Sequence, residues 1–234
     1  MAEIINWFNW IIENKEIIKI FYGLIILLIC IIIVFKTDKL FRLSLYQGIR
    51  YFRNAFFFYG IAFIIRYFLG ISFFYDKGFV TPDIVKFFFE FFLIMAGFFL
   101  FYSLIWKKIG YSQQENSPSS LFNRNLFIFY IMTLIIVFLD YLWQTYFFMF
   151  LSQIMLFACL SVISFINYQK KGLKHKFLKF YFIAMVLSFI AWLLNAILAL
   201  YLNWNKGILI NIYILNIIFF LLFLYGIINV TRRI

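Results

Sequence analysis

The chain alternates long apolar runs with short polar breaks. Seven runs reach the roughly 20 mainly apolar residues that a bilayer-spanning helix needs. They lie at about 17–35, 54–74, 84–106, 125–143, 146–168, 178–202 and 208–229. The fourth and fifth nearly fuse. As one helix, Asn125 to Tyr168 would be about 66 Å long, twice the hydrocarbon thickness, so a turn is predicted at Trp143-Gln144-Thr145. Asn203 to Gly207 reads as the turn between the sixth and seventh runs. Thr81-Pro82-Asp83 supplies an N-cap, a first-turn proline and a first-turn acid for the third helix. Neither proline falls inside a run, which predicts seven nearly straight helices. The expected fold is an all-α polytopic membrane bundle, with residues 17–234 as a single seven-helix domain.

Residues 1–16 follow a different pattern. Glu3, Asn6, Asn9, Glu13 and Glu16 recur every three or four positions among isoleucines, Trp7 and Phe8. This is an amphipathic helix that either lies flat on the outer leaflet or extends the first span. Glu3 stands where a cleavable signal would carry bases, so no cleaved leader is expected.

Composition removes the soluble alternatives. Hydrophobic residues make up 66% of the chain and charged residues 13%, against roughly 45–50% and about 25% in a globular domain. So little charge does not cover a soluble core. Cys30 and Cys159 both fall in apolar runs and read as core filler rather than a disulfide or metal pair. The net charge of +12 would suggest nucleic acid in a soluble protein, but here the bases cluster between apolar runs. They read as membrane-flanking loops, and no nucleic-acid partner is expected.

Those bases also sort by side. Loops one, three and five and the C-terminus hold fifteen of them, from Lys36 to Arg233; the opposite side holds Lys15, Lys19, Lys77, Lys86 and Lys206. The bias predicts the N-terminus outside, the C-terminus in the cytoplasm, and a multi-pass protein of the cell membrane. The basic stretch from Gln169 to Lys176 suits anionic lipids or serves as a topology signal. His175 sits among its lysines, which speaks against catalysis or metal binding. The polar loop from Lys107 to Arg124 is the expected mobile contact for a cytoplasmic protein partner.

Arg66 lies deep inside the second run, away from either end, and ionisable groups at membrane depth are functional candidates. Rise per residue puts Arg66 about 13 Å in, Glu90 and Gln153 about 10 Å, Asn195 about 12 Å and Asn216 about 13 Å. All fall in the outer half. Asp140, about 6 Å in, reads as a plain interfacial acid. Tyr59 shares a stripe with Arg66, and Trp192 one with Asn195. These seven residues — Arg66, Glu90, Gln153, Asn195, Asn216, Tyr59 and Trp192 — form either a ligand pocket open to the outside or a structural polar network. Matching depths predict that Arg66 and Glu90 pair directly. No intramembrane aspartate pair, metal spacing or phosphate loop is present, so no enzyme activity is expected.

Seven helices with short loops resemble the microbial rhodopsins in plan. Retinal is disfavoured: Ile208 to Asn229 contains no lysine, and Lys206 lies before the helix. The stretch Gln47-Gly48-Ile49-Arg50-Tyr51-Phe52-Arg53-Asn54-Ala55, continuing through Tyr59-Gly60 to Ile65-Arg66-Tyr67, is similar to uncharacterised archaeal seven-helix membrane proteins. The plan is also similar to the seven-helix sensor modules of prokaryotic histidine kinases. That resemblance implies a sensor or receptor without a cofactor, signalling here through a separate cytoplasmic partner. A small-solute transporter or channel and a membrane scaffold or assembly subunit are the alternatives. Only scattered inner-half groups such as Ser161, Ser164 and Asn229 would mark a transport route.

Overall fold

Apolar helix-forming runs in this sequence have one way to satisfy their backbone polar groups without water, which is to bond within each helix. The computed structural model describes residues 15–70, 81–109, 121, 124–171, 176–200 and 206–231, and all of its regular elements are helices. They are α1 (Lys15–Ser44), α2 (Gln47–Ile64, continued by a π-helical turn Ile65–Leu69), α3 (Pro82–Ile109), α4 (Arg124–Trp143), α5 (Phe147–Lys171), α6 (Lys176–Leu200) and α7 (Lys206–Thr231). By length and composition, α1 to α6 are apolar enough to cross a membrane; in α7 the described apolar stretch, Tyr213–Asn229, is shorter. The N-terminal segment through Asn14, most of the 107–124 loop, residues 172–175 with His175, and the turn residues 201–205 lie outside the described residues.

Each helix packs on the next in sequence, and α7 closes on α1. In addition α3 touches α5, which makes α3 the most enclosed helix and α4 the least. The core is built largely of rings. Phe52, Phe56, Phe220, Phe223 and Tyr181 interlock where α2, α6 and α7 meet. Each is buried, and edge-on pairs of this kind add to the area effect.

Two boundaries differ from the sequence expectation. The first helix runs nine residues past Phe35, and the second begins at Gln47 rather than near residue 54. Loop one therefore shrinks to Leu45 and Tyr46. Local chemistry explains the extension. Asp38 holds Arg42 one turn on at 3.0 Å and also binds Arg53 of α2, while Thr37 donates to the Ile33 carbonyl at 2.6 Å. Bases that looked like loop residues are helical ends tied across α1 and α2. The tight connection leaves Leu45 at φ 51°, an αL position that usually favours glycine.

The second helix is also not regular throughout. At Ile65–Leu69 it widens into a π turn, closed by the Gly70 N–H donating to the Ile65 carbonyl at 3.1 Å. No proline marks it, so the expectation of straight helices missed it. Such turns shift the side chains that follow and recur at functional sites. This one carries Arg66.

Candidate functional site

Four helix ends converge where α2 finishes, α3 begins and α4 turns into α5. The α4–α5 turn falls at the predicted residues. Gln144 adopts φ 52°, with its N–H donating to Tyr141 at 3.4 Å and the Thr145 N–H donating to the Asp140 carbonyl at 3.1 Å. These two bonds make a Schellman ending for α4. Asp140 is not the interfacial acid expected from its depth. It is fully buried, and its carboxylate accepts from the Thr145 hydroxyl at 3.0 Å, the Phe148 N–H at 3.0 Å and the Met149 N–H at 2.6 Å. The last two are orphan donors of the first turn of α5. One acid at the end of α4 thus caps the start of α5 and welds the corner.

Lys86, in the first turns of α3, reaches this corner. Its ammonium donates to the Asp140 carbonyl at 3.4 Å and sits 4.4 Å from the Tyr146 ring centroid. Arg66 approaches the same ring from α2, at 5.9 Å, and lies 4.9 Å from the Phe89 centroid. Cation–π contacts of this kind hold a guanidinium in place without neutralising it.

Glu90 is one turn below Lys86 on α3 and is 1% exposed. Its Oε1 has no hydrogen-bond partner. Arg66, Lys86 and Asp140 are near enough to act on it electrostatically. The predicted direct pairing with Arg66 does not occur: among the described residues, the ion pairs are those of Asp38 with Arg42 and Arg53. The reason is geometric. Arg66, within the π turn, lies against Phe89 and Tyr146, one residue to the side of Glu90.

The other predicted site residues divide among separate interfaces. Gln153 is buried against α3, with its amide donating to the Leu93 carbonyl at 3.5 Å and its Oε1 unpartnered. A Cβ at Gly97 would come within 3.2 Å of that oxygen, so Gly97 makes room for it. Gln153 thus lies one turn deeper than Glu90 and belongs to the α3–α5 contact. Tyr59 is buried between Phe56 and Phe220, its hydroxyl unpartnered. Asn216 donates to the Tyr22 hydroxyl at 3.1 Å and joins α7 to α1. Asn195 bonds its own helix at Ala191, 2.9 Å away, and Trp192 packs on Phe150 and Phe157 of α5. The structure therefore brings together Arg66 and Glu90, with Gln153 beneath, and leaves Tyr59, Asn195, Asn216 and Trp192 elsewhere.

Sequence reasoning missed the place of Lys86, Phe89 and Tyr146 in this site and read Asp140 as an interfacial acid. Lys86 and Glu90 stand four apart on one helix, a spacing that places them on one face. Asp140 stands just before a predicted turn, where an acid readily serves the next helix's first N–H groups. Tyr146 carried no signal beyond its place at a span end. Comparison with known proteins finds no matching family model, no matching curated protein and no matching solved structure.

Proposed function

We propose that this chain is a seven-span integral membrane protein of sensor- or receptor-like plan, with its N-terminus outside, and that Arg66 and Glu90 receive a ligand from the outer side. One observation carries the reading: an arginine and a glutamic acid share a layer on neighbouring helices without forming an ion pair, and the buried Oε1 of the glutamic acid has no hydrogen-bond partner. Asp140, in the same layer, has its carboxylate satisfied by its neighbours. The partnerless Oε1 of Glu90 costs stability and suits a donor supplied by a ligand. The transporter reading gains little support, because below this layer the bundle is filled by interlocking rings. Output in this reading passes through cytoplasmic loops to a separate protein.

Glu90→Gln separates the ligand-site reading from the scaffold reading. With no ligand present, the thermal midpoint in detergent is expected to equal or exceed that of the parent. If Glu90 were part of a structural ion pair, the same change would cost about 3–5 kcal/mol. A fall of that size would reject the ligand-site reading. Orientation rests on the fifteen-to-five distribution of bases. A reporter fused at Ile234 should be active in its cytoplasm-dependent form and silent in its export-dependent form; the reverse pattern would overturn the topology.

A further inference from the structure

We infer that the Arg66–Glu90 layer binds a small zwitterion, a molecule whose primary ammonium faces Glu90 and whose anionic oxygens face Arg66. The inference rests on the ligand-site reading and adds the chemical class. The two side chains make no ion pair, and Arg66 lies against Phe89, the residue next to Glu90. Glu90 Oε1 is buried and lacks a donor. Arg66 rests on two rings, and among the described residues no carboxylate pairs with it.

The other charges in the layer are already engaged. Asp140 is committed to the α5 cap, and Lys86 to the Asp140 carbonyl and the Tyr146 ring. A ligand of a single sign serves only one of the two groups. An anion at Arg66 leaves Glu90 Oε1 without a donor, and a cation at Glu90 leaves the guanidinium without an anion. A molecule with both charges a few bonds apart satisfies each group and adds no net charge to a low-dielectric layer. The half-buried rings of Phe89 and Tyr146 lie against Arg66 and suit an apolar substituent. Free amino acids and the headgroup of an ethanolamine phospholipid share this chemistry.

The test uses the full chain in detergent, read by ligand-induced thermal shift with L-phenylalanine, phenethylamine and 3-phenylpropionate as probes. A parallel series reconstitutes the chain in phosphatidylethanolamine or phosphatidylglycerol vesicles. L-Phenylalanine should stabilise the protein, with each single-charge analogue weaker by about tenfold or more, the scale of one charge-assisted hydrogen bond. Glu90→Gln and Arg66→Met should each remove the shift. Stabilisation by phosphatidylethanolamine over phosphatidylglycerol, lost in the same two variants, would support the zwitterion with a lipid source. If 3-phenylpropionate binds as well as L-phenylalanine, the layer is an anion site: the zwitterion fails and the ligand-site reading stands. If neither L-phenylalanine nor phosphatidylethanolamine stabilises the protein, the zwitterion is overturned whether or not the variants fold. The Glu90→Gln midpoint without ligand then decides the ligand-site reading separately.

Discussion

Asp140→Ala is expected to lower stability by about 3 kcal/mol, the largest loss from any single polar substitution in the layer of Arg66 and Glu90. Three donors depend on this carboxylate: the Thr145 hydroxyl and the N–H groups of Phe148 and Met149. Asp140 is fully buried, so water does not replace the lost acceptor. The two N–H groups open α5, where loss of a cap alone costs about 1 kcal/mol. Bonds to a charged acceptor contribute more than neutral ones, which raises the total. In a chain of this length the loss corresponds to roughly 6–12 °C in thermal midpoint. Asp140→Asn keeps one acceptor oxygen but no charge and should recover less than half of that. Thermal unfolding of the purified protein in detergent decides the matter. A midpoint for Asp140→Ala within about 2 °C of the parent would show that the corner holds without its acid.

The helical architecture was legible because its signal is long and repeated. Each apolar run spans enough residues to outweigh local exceptions, and the turn at Trp143-Gln144-Thr145 followed from length alone. Ends were harder to read. Polar residues from Lys36 to Arg42 resemble a loop by composition, yet an i,i+4 ion pair and a crossing arginine keep them helical. Depth along the axis could be calculated, so Arg66 and Glu90 were placed in one layer. Direction around the axis could not. A π turn at Ile65–Leu69 carries no sequence mark, and Arg66 within it meets Phe89 and Tyr146 instead of Glu90. Asn195 shows the same limit. Its depth matched the layer, but its amide was claimed by the carbonyl one turn back on its own helix. Polar residues at equal depth share a layer, and only the helix rotations decide which of them meet.

That π turn sets up the second large effect, a pair of glycine substitutions on one interface with opposite signs. Gly23 of α1 faces the π segment. A Cβ there would fall 2.7 Å from Tyr67 Cβ and 2.9 Å from its Cγ. Tyr67 has little freedom to yield, since its ring stacks on Phe63 at 5.6 Å and meets Tyr22 edge-on at 5.3 Å. The clashing atom is also fixed to the backbone, so rotation of the side chain does not relieve it. Gly23→Ala must therefore push α1 away from the turn that bears Arg66, at a cost of about 2 kcal/mol and roughly 4–8 °C. Gly60 lies on the same α1–α2 interface, but a Cβ there meets Cys30 Cβ at 3.6 Å and Leu27 at 3.7 Å, ordinary contact distances. Gly60→Ala gains helix propensity of about 0.5–1 kcal/mol and fills space without strain, so its midpoint should rise by about 2 °C. Because Tyr67 adjoins Arg66, the Gly23 variant should also weaken zwitterion binding, whereas the Gly60 variant should leave it unchanged. Equal midpoints for the two variants would mean that α1 does not seat against the π turn as closely as the Gly23–Tyr67 contact requires.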